Sequence, residues 1–311
     1  MQRRLFVLGS GLAAAVVATG CGGGGDDHPS RPDIVQTAQN TPDLSILVEA
    51  VTAAGLVDTL KGPGPFTVFA PTNAAFAALL NELGVTKEQL LADRALLTAV
   101  LTYHVVPSKV ERAQISLGKA VTTVQGGVFK VEAPNGQLTI TDGRNRTSRI
   151  TATDIQASNG VVHLVDRVLL PANRNIVETA QALPQFSILV EAVVAANLQG
   201  TLSGAGPFTV LAPTDDAFVA LLSELGVSKA ALLADTVLLT KVLTYHVVPG
   251  RVLRADIPIG TPITTVQGQT LQISSSLVIT DQRRRASNIV VTDVFATNGV
   301  VHAIDKVLLP A

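Results

Sequence analysis

A segment of about 140 residues occurs twice in this chain, and that duplication restricts the fold more than any other feature. Ile34-Val35-Gln36-Thr37-Ala38-Gln39 returns as Ile176-Val177-Glu178-Thr179-Ala180-Gln181, and Phe66-Thr67-Val68-Phe69-Ala70-Pro71-Thr72 as Phe208-Thr209-Val210-Leu211-Ala212-Pro213-Thr214. Tyr103-His104-Val105-Val106-Pro107 returns as Tyr245-His246-Val247-Val248-Pro249. The offset is 142 residues from Phe66 to Phe208 and from Tyr103 to Tyr245, and 139 from His163 to His302. The second copy therefore lacks three residues between Gly127 and Leu138, where a hairpin tip would tolerate the loss. Roughly two-thirds of positions are identical before that gap, far above chance for a repeat. The period is too long for a solenoid unit, so each copy is expected to be a complete domain, 34–172 and 173–311, joined at Ala172-Asn173-Arg174-Asn175.

Within one copy the pattern changes halfway. Asp43, Leu44, Leu47, Val48 and Val51 follow a helical spacing, with Pro42 suited to its first turn and Gly55 to its end. Phe66–Phe69 reads as a short strand. Thr72 suits a cap for the Phe76, Leu79, Leu80, Leu83 stripe, and Thr86 with Gln89 has capping-box spacing. A third helix reaches Tyr103. After His104 the period is that of strands at 122–124, 128–131, 138–141, 150–154 and 161–165, with Asn159-Gly160 as a hairpin turn tolerant of positive φ. Helices followed by strands predict an α+β domain, helices packed against a largely antiparallel sheet, sandwich or wedge. With 47% hydrophobic and 15% charged residues both copies can fill a core, and a net charge of −1 argues against a nucleic-acid partner.

Phe66–Thr72, Tyr103-His104 and Asn159-Gly160-Val161-Val162-His163-Leu164-Val165-Asp166-Arg167-Val168-Leu169-Leu170-Pro171 resemble the three signature blocks of the fasciclin domain, and all three recur in the second copy. The resemblance implies a fold of helices wedged against a β-sandwich, a role in adhesion outside the cytoplasm, and no general enzymatic activity. In animal relatives the Tyr-His block and an Asp-Ile pair are tied to adhesion. Those positions are Tyr103, His104, Asp154 and Ile155 here, and Tyr245, His246, Asp293 and Val294 in the second copy.

The N-terminus reads as an address. Arg3-Arg4 precede an apolar run from Leu5 to Ala18, then Thr19-Gly20-Cys21. This resembles a bacterial lipoprotein signal in which Cys21 is acylated, and Arg3-Arg4 also resembles a twin-arginine export signal. Residues 1–21 are thus expected to be the lipoprotein signal with its lipidated cysteine and 22–33 a flexible tether. The expected location is the bacterial cell envelope, periplasmic or at the cell surface. Cys21 is the one cysteine, which excludes an intrachain disulfide.

Catalytic signals are weak. No His-Glu-x-x-His or Gly-x-Ser-x-Gly pattern occurs, and His104 and His246 are expected to make structural hydrogen bonds, so no metal, cofactor or catalytic residue is predicted. Arg144, Arg146 and Arg149, and Arg283, Arg284 and Arg285, fall in matching turns and are candidates for gripping carboxylate, sulfate or phosphate. Asn145-Arg146-Thr147 matches an N-glycosylation sequon absent from the second copy. The expected partner is an extracellular or envelope polysaccharide or protein, with the lipid anchor engaging the membrane. The alternative is an envelope structural protein or a small-molecule carrier, the latter requiring an apolar pocket.

Overall fold

Each copy begins with short helices, the first of them capped by a side chain. In the computed structural model, which describes residues 31–311, Asp33 caps α1 (Ile34–Gln39) in a capping box with Gln36. A single 3-10 turn at Pro42–Leu44 leads into α2 (Ser45–Ala54), which stops where Gly55 turns left-handed at φ 72°. After α3 (Val57–Lys61) comes β1 (Phe66–Pro71). Thr72 then caps α4 (Asn73–Leu83), Thr86 and Gln89 form the expected box on α5 (Lys87–Ala92), and Asp93 caps α6 (Arg94–Tyr103). The strands follow: β2 (Val105–Val106), β3 (Ala120–Thr122), β4 (Val128–Glu132), β5 (Thr139–Thr141), β6 (Thr147–Ala157) and β7 (Gly160–Val165).

The seven strands form one sheet in the order β2-β1-β7-β6-β5-β4-β3. All neighbours are antiparallel except β1 and β7, which run parallel with Phe66 opposite Gly160. Apolar side chains divide into two cores. Leu47, Ala50, Phe76, Leu97 and Val162 join the helices to one end of the sheet. Phe69, Tyr103, Phe129, Ile140 and Val165 fill the folded-over half, with Phe129 edge-on to Phe69 at 5.1 Å. This is the expected α+β arrangement.

The second copy repeats the plan: α7 (Ile176–Gln181), α8 (Ser187–Ala195), α9 (Gln199–Ser203), β8 (Phe208–Pro213), α10 (Asp215–Leu225), α11 (Lys229–Ala234), α12 (Thr236–Tyr245), β9 (Val247–Pro249), β10 (Ile263–Thr264), β11 (Thr270–Ile273), β12 (Val278–Thr280), β13 (Ala286–Ala296) and β14 (Gly299–Ile304). Its sheet order is β10-β11-β12-β13-β14-β8-β9. The missing residues fall at the β4–β5 connection, where the first copy alone carries a 3-10 turn at Pro134–Gly136.

Asn159-Gly160 does make the β6–β7 hairpin, for reasons other than positive φ, since neither residue adopts it. The Asn159 amide donates to the carbonyls of Leu60 and Gly62 and its oxygen accepts from the Ile34 N–H, which ties the hairpin to α1 and α3. Gly160 is required because a Cβ there would collide with the Phe66 carbonyl.

The copies touch. Val128 of β4 packs with Leu253, Phe295 and Val300 of the second copy in a small shared core. The Asn145 amide donates to the Phe295 carbonyl and accepts from its N–H, so the sequon asparagine is committed to this junction. Lys130 crosses to Asp293 at 2.9 Å. Among the described residues no helix is long and apolar enough to cross a membrane.

Candidate functional site

The Tyr-His block lies in the interior. Tyr103 is fully buried, its hydroxyl donating to the Val128 carbonyl at 2.6 Å, and Tyr245 repeats the bond to Thr270 at 2.8 Å. Burial pushes the Tyr245 hydroxyl up to about 12 and Tyr103 further in the same direction. His104 sits where α6 turns into β2. Its Nδ1 faces the Val100 carbonyl at 2.8 Å and its Nε2 accepts the Leu169 N–H at 2.9 Å. One ring nitrogen must therefore carry a proton and the other must not, which fixes a neutral tautomer. His246 repeats this with Val242 and Leu308, and burial pushes both histidines down to about 4. As surface contacts, these four candidates are displaced by their own packing. They brace the loop that carries the final Leu-Leu-Pro segment.

The Asp-Ile position is different. β6 breaks register between Ala152 and Ile155, and within this bulge Asp154 takes φ 62°. The Asp154 N–H donates to His163 Nδ1 at 3.2 Å, while His163 Nε2 faces the Val110 carbonyl at 2.9 Å. Asp154 Oδ1 accepts the Arg112 N–H at 2.8 Å. The histidine and the loop between β2 and β3 thus hold the aspartate in a left-handed conformation that costs about 1–3 kcal/mol. Ile155, next in sequence, is half-buried against the helical core.

Asp293 has the same construction, with φ 61°, its N–H on His302 Nδ1 and its Oδ1 on the Arg254 N–H. Burial lowers the proton affinity of His302. The two sites differ in what meets the second carboxylate oxygen. Asp293 Oδ2 accepts from Lys130 Nζ at 2.9 Å, with side-chain exposures of 1% and 8%, and Lys130 also reaches Glu132 at 3.1 Å. Among the described residues nothing donates to Asp154 Oδ2, and Asp154 is only half-buried. The surroundings differ in the same sense. Phe295 and Leu253 flank Asp293 in the shared core, whereas their counterparts Gln156 and Glu111 bond to each other at 3.3 Å beside Asp154. Val294, the counterpart of Ile155, packs against the helical core of the second copy.

The arginine turns are organised from beneath by an aspartate. Buried Asp142 accepts the backbone N–H groups of Arg144 and Arg146 with Oδ1, and the Arg146 guanidinium and Leu170 N–H with Oδ2. Arg146 also donates to both oxygens of Glu82 at 2.9 Å. Asp281 accepts the backbone N–H groups of Arg283, Arg285 and Leu309 but, among the described residues, no guanidinium, while Arg285 pairs with Glu224 and Arg283 reaches the Pro310 carbonyl. Arg146 and Arg285 are therefore internally neutralised, a correction to their reading as free anion ligands. Arg149 lies not in the turn but on β6 opposite Thr139, and its counterpart is Asn288; it and Arg284 stand exposed, and Arg144 makes no ion pair among the described residues.

The apolar gaps in the helical cores of the described residues are small. The apolar gap under α1 and α2 is about 30 Å³, as is the matching gap under α7 and α8, room for a water rather than for an organic ligand. Cys21 lies outside the described residues.

A family model described as the fasciclin domain matches residues 42–171 and 184–310. Over 256 residues the chain is 32% identical to the transforming growth factor-beta-induced protein ig-h3 of Sus scrofa, covering 81% of this chain and 35% of that protein. It is 43% identical over 143 residues to protein sll1483 of Synechocystis, covering 46% of this chain and 75% of that protein. The chain thus spans about a third of the length of its curated mammalian relative. A solved pair of such domains from the insect cell adhesion molecule fasciclin I covers 86% of this chain and 97% of its own at 19% identity, with a TM-score of 0.42.

Proposed function

This chain belongs to the fasciclin family, and from that premise we propose that it is a non-catalytic binding and adhesion protein of the cell exterior or envelope. It is tethered through acylated Cys21 and offers the Asp154-Ile155 bulge to a protein or polysaccharide partner bearing a cationic group. The observation that carries the reading is the contrast between the two bulges. Asp293 is closed by Lys130, which identifies an ammonium as the group this geometry takes, and the equivalent Asp154 oxygen stays open.

Asp154→Asn removes the charge while leaving the Arg112 N–H an acceptor. Binding to immobilised lysine-bearing proteins or aminated polysaccharides is expected to weaken about tenfold, the loss of one charge-assisted bond. Its salt dependence should flatten. Asp58→Asn, an exposed carboxylate elsewhere, is the control. Equal weakening by both substitutions, or by neither, would dismiss the bulge as the contact.

The tether makes a separate prediction. Cys21→Ser is expected to move the protein from the membrane fraction to the soluble fraction, because stable anchoring depends on its acyl chains. A wild-type protein whose Cys21 thiol is unmodified by mass spectrometry would refute the anchor without touching the Asp154 result.

A further inference from the structure

Where the copies meet, a cleft of about 500 Å³ opens between the turn after β5, the Asn173-Arg174 linker, the α7 end of the second copy and the bulge of β13. Its lining includes three arginines, Arg144, Arg146 and Arg174, and no acidic residue among those described. Arg146 is neutralised by Asp142 and Glu82. Arg144 and Arg174 make no ion pair among the described residues, and Arg144 Nε is buried without a hydrogen-bond partner. Burial, followed by the Arg146 charge, lowers the proton affinity of Arg144, with Arg174 adding in the same sense. A chain of net charge −1 has thus concentrated uncompensated positive charge in one concavity, where low-dielectric walls focus its field. The far wall is apolar, with Leu183, Val291 and Val294. The Asn145 clamp on the Phe295 backbone holds the two walls in register.

We infer that this cleft binds a small organic anion, its carboxylate, sulfate or phosphate held by Arg144 and Arg174 and its body laid against Leu183 and Val291. The volume is that of an ordinary ligand site, and guanidinium groups match all three anions in a bidentate manner. The site is assembled from both copies, so neither domain contains it alone. It is independent of the Asp154 surface, which has the opposite charge.

The test is calorimetric titration of the two-domain chain with glucuronate, benzoate, glucose 6-phosphate and neutral glucose. At least one anion should bind more tightly than glucose, and the preferred anion identifies the group recognised. Arg174→Gln should weaken that binding about tenfold, and Arg144→Gln likewise. Arg283→Gln, in the matching turn outside the cleft, should leave it unchanged. Arg174 is exposed, so its substitution is read without a folding defect even if Arg144→Gln lowers the melting temperature. Failure of every anion to outbind glucose, or wild-type affinity in Arg174→Gln, would overturn the inference.

Discussion

Lys130→Met is expected to destabilise the domain pair by about 3 kcal/mol, the scale of breaking a buried ion pair from one side. Asp293 is almost without solvent contact, and its Oδ2 has Lys130 as its hydrogen-bond donor. Removing the ammonium leaves a carboxylate whose remaining hydrogen bond among the described residues comes from the Arg254 N–H, in a bulge that is already left-handed. The chain has two ways to relieve this: local unfolding of β13, or parting of the Val128–Phe295 contact so that water reaches the aspartate. Both lower the first thermal transition, and the second also raises the radius of gyration in solution scattering. Lys130→Met combined with Asp293→Asn should recover most of the loss, because the stranded charge is then gone, and the double-mutant cycle reads the coupling directly. Unchanged melting and scattering in Lys130→Met would show that the pair contributes nothing to holding the domains together.

Acid should weaken both domains through their buried histidines. His104 and His246 are neutral in the fold, each with one nitrogen facing a carbonyl and the other an N–H. Adding a proton sets a second N–H against Leu169 or Leu308. Because their folded proton affinity is pushed from an ordinary 6.5 down to about 4, the unfolded chain binds the proton first. Stability is therefore complete above pH 6.5 and falls as pH drops from there towards 4, by roughly 3 kcal/mol for each histidine. Urea midpoints at pH 7, 5 and 4 measure this. His104→Gln should start lower at pH 7 and lose less on acidification, since one of the two proton acceptors is gone. A wild-type midpoint constant from pH 7 to 4 would rule the mechanism out.

The local structure was legible because its causes are local. Thr72, Thr86 with Gln89, and Gly55 each act within a few residues of the helix end they fix. The Asn159-Gly160 hairpin was legible as a turn, but its reason was not. Gly160 answers to the Phe66 carbonyl on the neighbouring strand, and Asn159 to backbone groups about a hundred residues away. The Tyr-His block was legible in part. Its histidines read as makers of structural hydrogen bonds, and they are, but the resemblance that implies an adhesion role gave no sign that the carbonyl and N–H groups satisfying the block arrive from β4 and from Leu169. Lys130 gave no local sign at all, since its partner lies 163 positions on. A signal existed in the repeat itself. Where the copies otherwise agree, Lys130 and Val128 stand against Gln272 and Thr270, and Phe295 and Leu253 against Gln156 and Glu111. These mismatches mark the junction.

The junction is also directional. It joins unlike surfaces, the β4 side of one domain and the bulge of the next, so identical domains would add head to tail without limit. Neither of the two faces outside the junction reproduces the match. Exposed Gln272 offers no ammonium to an incoming aspartate, and the bonded Gln156–Glu111 pair presents polar groups where an apolar plug is needed. The divergence between the duplicates thus fixes the order of the pair and leaves neither outer face complementary to another copy.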